Sequence, residues 1–152
     1  MRCHVIAVGR AKPGPAQALF DVYANRLNPP LSLCEVDEKR SLPPDRLREQ
    51  EAALLLSAAP KRAILVGLDE SGITLDSAGF AARLGAWRDQ SVGDLAFLIG
   101  GAAGHGAAVR ERVDLVLSLG PMTWPHMLVR GLIAEQLYRG FSILAGHPYH
   151  KE

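Results

Sequence analysis

Residues 95–106 read LAFLIGGAAGHG, and residues 113–143 read VDLVLSLGPMTWPHMLVRGLIAEQLYRGFSI before the chain closes on LAGHPYHKE. Each stretch starts as an apolar run of strand length, breaks into a loop of special turn residues, and resumes at helical spacing. A strand feeding a helix through a tight loop, twice in succession, is the repeating unit of an α/β fold. RAILVGL at 62–68 is a third uninterrupted apolar run of this kind. A strand with no polar alternation is buried on both faces, as in a parallel sheet with helices on each side.

Working outward from these stretches, a β-branched run at 3–8 ends on Gly9 and is expected as the first strand. Leu19, Phe20, Tyr23 and Leu27 recur at helical spacing over 15–27, and Asn28-Pro29-Pro30 stops that helix. The alternation at 31–36 predicts a half-buried strand, and the charged, proline-broken 37–44 a loop. A helix is expected over 45–58 with Leu47, Leu54, Leu55 and Ala58 inward and Glu49, Gln50 and Glu51 facing water. Asp69 to Gly72 reads as a turn, Asp76 or Ser77 as the cap of a helix to about 88, and 94–99 as another buried strand. A short helix at 107–112, a strand at 113–118 and a last helix over 125–141 complete a βαβαβαβαβα order. The expected architecture is one α/β domain over 1–152, with a mainly parallel sheet and helices on both faces.

At 152 residues the chain can bury a core without staples. With 48% apolar and 22% charged residues it has an ordinary globular composition. A net charge of +1 means that any nucleic-acid partner must be met by locally placed cations. Cys3 and Cys34 both fall in expected strands and read as small buried hydrophobes of a reducing compartment. No signal-peptide pattern opens the chain and no apolar run approaches the ~20 residues of a membrane span, so a cytoplasmic protein is expected.

In a parallel sheet, ligands gather at the carboxyl ends of the strands. Three loops stand there, at 68–72, 100–106 and 118–124. Gly100-Gly101-Ala102-Ala103-Gly104 lets backbone approach a ligand closely. It lacks the Gly-Lys-Ser/Thr of a phosphate loop and the spacing of a dinucleotide fingerprint. Read alone it is a strand-to-helix turn. In Ser118-Leu119-Gly120-Pro121-Met122-Thr123, Thr123 can cap the following helix and Pro125 suits its first turn. Capping leaves Gly-Pro-Met at a strand end unexplained; backbone polar groups among apolar neighbours there suit an adenine and a ribose. Glu135 and Arg139 lie one turn apart, as an ordinary helix ion pair would. His147 and His150, with Pro148 between them and no cysteine nearby, do not read as a metal site. Tyr149 could stack on a base and Lys151 could meet phosphate.

Taken together, LIGG-x-x-G at 98–104, LSLGPMT-x-PH-x-L-x-R at 117–130, EQLYR at 135–139 and HPYHKE at 147–152 resemble the RlmH family of SPOUT-class methyltransferases. VIAVG at 5–9 and LDESG at 68–72 extend the resemblance over essentially the whole chain. The resemblance implies a fold with a C-terminal trefoil knot, S-adenosylmethionine as cofactor, and a homodimer whose site draws on both subunits. It implies methylation of N3 of a pseudouridine in 23S ribosomal RNA of the large subunit or assembled ribosome. It places the cofactor against Leu68, Gly100, Gly101, Leu119, Gly120, Pro121, Met122, Thr123 and Trp124. Tyr149, His150 and Arg139 become the expected catalytic group, and His126, Arg130 and Lys151 the expected RNA contacts. Three positions depart from the family pattern: Gly120 where many members carry serine, Lys151 where some carry arginine, and Gly140 after Arg139 where alanine is common. A different α/β nucleotide binder and a non-catalytic RNA-binding module are the alternatives.

Overall fold

The computed structural model describes residues 1–151, with His150 described only in its backbone. The strands are β1 (Arg2–Val8), β2 (Ser32–Val36), β3 (Ile64–Thr74), β4 (Asp94–Ile99) and β5 (Leu115–Ser118). The helices are α1 (Pro15–Ala24), α2 (Pro44–Ala58), α3 (Ser77–Asp89), α4 (Ala107–Arg112) and α5 (His126–Leu144), and a 3-10 turn spans Pro148–Lys151. The sheet runs β2-β1-β4-β3-β5, and all four pairings are parallel. The expected α/β fold is therefore present, and every strand's carboxyl end lies along one edge.

Alternation of side chains across the pleat builds two cores. Val5, Ala7, Val66, Leu95 and Phe97 pack with Phe20, Leu84, Ile133 and Leu137 of α1, α3 and α5. Ile6, Val8, Ala96 and Leu98, the intervening residues, pack with Ala52, Leu55 and Val109 of α2 and α4. Phe97, Leu95 and Leu98 are fully buried, each contributing about 1.5–3 kcal/mol relative to exposure. At the amino-terminal edge, His4 bridges Ser32 and Asp94 at 2.7 Å each, tying β2, β1 and β4 together.

Several expectations are corrected. Glu51 is buried rather than water-facing, because its turn of α2 is pressed against the 100–104 loop. Cys34 is exposed, since β2 is the edge strand, whereas burial pushes the Cys3 thiol up to about 12. Residues 69–72 do not end β3. The Asp69 carboxylate accepts the Ser71 amide at 2.9 Å and its hydroxyl at 2.6 Å, making a local turn inside the strand. The pairing of β3 with β5 slips there and resumes at Ile73–Leu117 and Thr74–Ser118. The first helix stops at Ala24, and the last runs on to Leu144. Pro125, not Thr123, stands at the cap of α5, whose start has no side-chain cap. Asp76 does cap α3, accepting the Gly79 amide at 2.7 Å.

Candidate active site

Residues 68–70 within β3 and the carboxyl ends of β4 and β5 open into a cavity of about 780 Å³, within the range of small-molecule sites. Its lining brings together Leu68, Gly100, Gly101, Leu119, Gly120, Met122, Thr123 and Trp124, leaving out Pro121 among the expected cofactor contacts. The Gly104 amide donates to the Gly101 carbonyl at 2.9 Å, folding 101–104 into a tight turn. A Cβ added at Gly101 would lie 2.8 Å from Glu51 Oε2 and 3.2 Å from Val8 Cγ1, so a side chain here would require Glu51 and Val8 to shift. The Ser118 hydroxyl closes the neighbouring loop, accepting the Gly120 amide at 3.1 Å and donating to the Gly120 carbonyl at 3.0 Å. Gly120 has φ +112°, a conformation open to glycine and strained for serine. The departure from the family pattern at 120 thus goes with this loop's geometry.

Charged residues on the cavity wall were not singled out in the sequence. Asp69 and Glu70 line it, with Arg110 3.2 Å from Asp69. Burial works against the charge on Asp69, but the Ser71 hydrogen bonds and Arg110 outweigh it and hold the carboxyl below its usual range. His105 also lines the cavity and is 6% exposed. Its Nε2 lies 3.1 Å from the Leu98 carbonyl and must carry the proton to donate there. Nδ1 is buried without a partner among the described residues, and burial, only partly opposed by the Leu98 bond, holds the imidazole pKa below normal. The imidazole therefore stays neutral and braces the turn. The Gly-His-Gly at 104–106 was the available signal for it.

The three expected RNA contacts part company. His126 lines the cavity at the start of α5, and Lys151 is exposed in the terminal turn. Arg130 is 1% exposed, so its side chain is buried rather than presented to RNA as expected. Its guanidinium donates to Glu35 at 2.7 Å and to the Val8 and Gly9 carbonyls at 3.2 and 2.9 Å. Glu35 also accepts the Ala11 amide at 2.6 Å. Burial opposes ionisation of Glu35, but Arg130 and Ala11 prevail and lower its pKa. Arg130 thus clamps the ends of β1 and β2 to α5.

The terminal turn docks on the other side of the 118–124 loop. The Tyr149 hydroxyl donates to Glu135 at 3.0 Å and lies 3.2 Å from that of Tyr23. Its ring packs edge-on against Tyr138 at 4.7 Å, with the Arg139 guanidinium 4.9 Å from its centre. Arg139 pairs with Glu135 at 2.7 Å. Burial, reinforced by Tyr23 and Glu135, pushes the Tyr149 pKa up, so this phenol keeps its proton and acts as a donor. The His150 side chain lies outside what the structure describes. A second cavity, about 720 Å³, is lined by Tyr23, Glu135 and Arg139 and shares Leu119, Gly120 and Trp124 with the first. Within one chain, then, Tyr149 and Lys151 do not enter the first cavity. Among the described residues no group of histidine, cysteine and acidic side chains could hold a metal, and no helix is long and apolar enough to cross a membrane.

A parallel sheet with two glycine-bearing loops walling one cavity narrows the class. Residues 1–150 match the family described as "Predicted SPOUT methyltransferase", and the chain belongs to the SPOUT methyltransferase family. It is 58% identical over 151 residues to a "Ribosomal RNA large subunit methyltransferase H" of Rhodospirillum centenum, with 99% of each chain covered. Proteins of the same name from Paramagnetospirillum magneticum and Rhodospirillum rubrum are 59% and 50% identical over 151 residues, again covering 99% of each chain.

Proposed function

We propose that this chain is an S-adenosylmethionine-dependent methyltransferase that modifies N3 of a pseudouridine in 23S ribosomal RNA. In this reading it works in the cytoplasm on the large subunit or the assembled ribosome. The carrying observation is the first cavity: its volume, its glycine-bearing loops and its two carboxylates suit a nucleoside bearing positive charge. The full-length likeness to large-subunit ribosomal RNA methyltransferases supports the choice of substrate.

In this reading, the backbone of Gly100, Gly101 and 119–124 binds the adenosine part, and Asp69 and Glu70 face the donor's positive charges. Bound there, S-adenosylmethionine supplies a methyl group already activated on a sulfonium. Alignment of N3 with that methyl then supplies much of the rate. N3 of neutral pseudouridine carries a proton that must leave. The proton-bearing Tyr149 suits orientation of the base by donation, and His150 is the proposed acceptor. Arg139 and Lys151 favour the developing anion and nearby phosphate. Arg130 acts through position alone, holding the ends of β1 and β2.

Because Tyr149 and Lys151 stand apart from the first cavity in their own chain, the reading includes a homodimer in which one subunit's tail completes the other's site. The exposure of Met122 (73%) at the first cavity and of Trp124 (41%) between the two cavities agrees with a covering partner. The knotted threading implied by the family belongs to the same proposal. Calorimetric titration with S-adenosylmethionine, followed by mass mapping of ribosomal RNA methylated in vitro on pseudouridine and uridine substrates, tests it. Absence of heat, or of a methyl mark at N3, overturns the reading.

A further inference from the structure

The loops after β1 and β2 share the sheet edge with the first cavity, because every pairing is parallel. With the first turns of α2, residues 9–14 and 37–48 carry six cations against three carboxylates, in a chain whose net charge is only +1. Two cations have acidic neighbours: Arg40 pairs with Glu38 at 3.0 Å, and Arg48 lies 3.7 Å from Asp45. Arg10, Lys12, Lys39 and Arg46 are exposed. Among the described residues none of these four makes an ion pair within 4 Å.

This corner is joined to the cavity rim. Gly9 packs beside His126 and Met127, Arg130 donates to the Gly9 carbonyl, and Glu35 holds the Ala11 amide. Across the cavity, within β3, the wall carries Asp69 and Glu70, with Arg110 paired to Asp69 at 3.2 Å. A polyanion approaching this edge is therefore attracted over the loops after β1 and β2, whereas the β3 wall offers no such excess of cations. The difference sets the side on which a nucleic-acid backbone passes while one base enters.

We propose that Arg10, Lys12, Lys39 and Arg46 form the backbone-binding surface for the ribosomal RNA, contacting phosphates rather than bases. The inference rests on the ribosomal RNA reading and adds the docking face to it. Contacts of this kind raise affinity without reading sequence and make it salt-dependent.

The test combines Arg10→Ala, Lys12→Ala, Lys39→Ala and Arg46→Ala in one full-length variant. Its control carries Lys61→Ala and Arg62→Ala, at the opposite edge of the sheet. Binding of each to purified large subunits and to assembled ribosomes is followed across a potassium chloride series. Calorimetry with S-adenosylmethionine checks that the cofactor site is intact. The fourfold variant should bind about tenfold or more weakly, and its slope of log affinity on log salt should fall by about 3, at 0.7–0.9 per lost phosphate contact. Cofactor binding and the control should match wild type. A wild type that binds and a fourfold variant with unchanged affinity and slope overturn this surface alone. Equal losses in variant and control overturn its location. A wild type that neither binds nor methylates either particle overturns the ribosomal RNA reading, and this inference with it.

Discussion

The two cavities share one wall but are built differently. The first is walled by the glycine-bearing loops after β4 and β5, with side chains from β3, α4 and the start of α5. The second lies between α1, α3 and α5, against the carboxyl ends of β3 and β5, and carries more helical side chains. A cavity walled by two tight glycine-bearing turns presents a fixed shape, so it suits a constant small ligand. A cavity lined by a tyrosine–glutamate–arginine cluster presents charge and protons that substitutions alter directly. The division matches the proposed split between cofactor binding and chemistry on the acceptor.

Removing residues 149–152 breaks the comparison most sharply. Methylation should be abolished, while calorimetry shows cofactor binding largely kept; an active truncated enzyme sinks the role given to the tail. Next comes the clamp beside the first cavity. Arg130→Ala strands Glu35 and two carbonyls, and urea denaturation should show a loss of about 3 kcal/mol. Arg130→Lys should recover little, because one ammonium cannot reproduce the fork.

Gly101→Ala pushes a methyl into Glu51 and Val8, costing about 1–3 kcal/mol in stability or cofactor affinity. Adding Glu51→Ala should relieve part of that loss in a double-mutant cycle, and strict additivity would show that the crowding does not matter. Glu51 itself has its pKa raised by burial and then by Asp37. The folded state binds that proton more tightly than the unfolded chain, so wild type loses stability as pH rises from the ordinary carboxyl range through the raised pKa. Glu51→Gln should match wild type at low pH and melt about 2 °C or more higher near neutrality. An identical difference at both pH values would count against the buried charge. The smallest effect on folding is expected of Tyr149→Phe. It removes the bond to Glu135 for about 1 kcal/mol, yet should lower methylation far more than stability.

Much of the chain could be read before folding. Continuous apolar runs marked β3 and β4, because strands covered on both faces need no polar alternation. Glycine loops after two such runs located the first cavity, since only strand ends gather loops in a parallel sheet. The two misread helix charges share one cause. Glu51 and Arg130 sit on amphipathic helices, where a charge is read as outward unless something distant claims it. Glu35 claims Arg130 from 95 residues away, and the 100–104 loop covers Glu51. His105 could be noticed only as an odd residue between glycines, because its partner is a carbonyl inside β4.

The sequence by itself determined the α/β class, the strands and the loops that wall the first cavity, because apolar periodicity and glycine act within a few residues. Only the tertiary structure decided the strand order β2-β1-β4-β3-β5, which sets basic loops on one side of the cavity and carboxylates on the other. It alone buried Arg130, freed Cys34 at the sheet edge and docked Tyr149 on Glu135 beside the second cavity. Burial and pairing depend on which distant segments meet, and a linear pattern does not encode that meeting residue by residue.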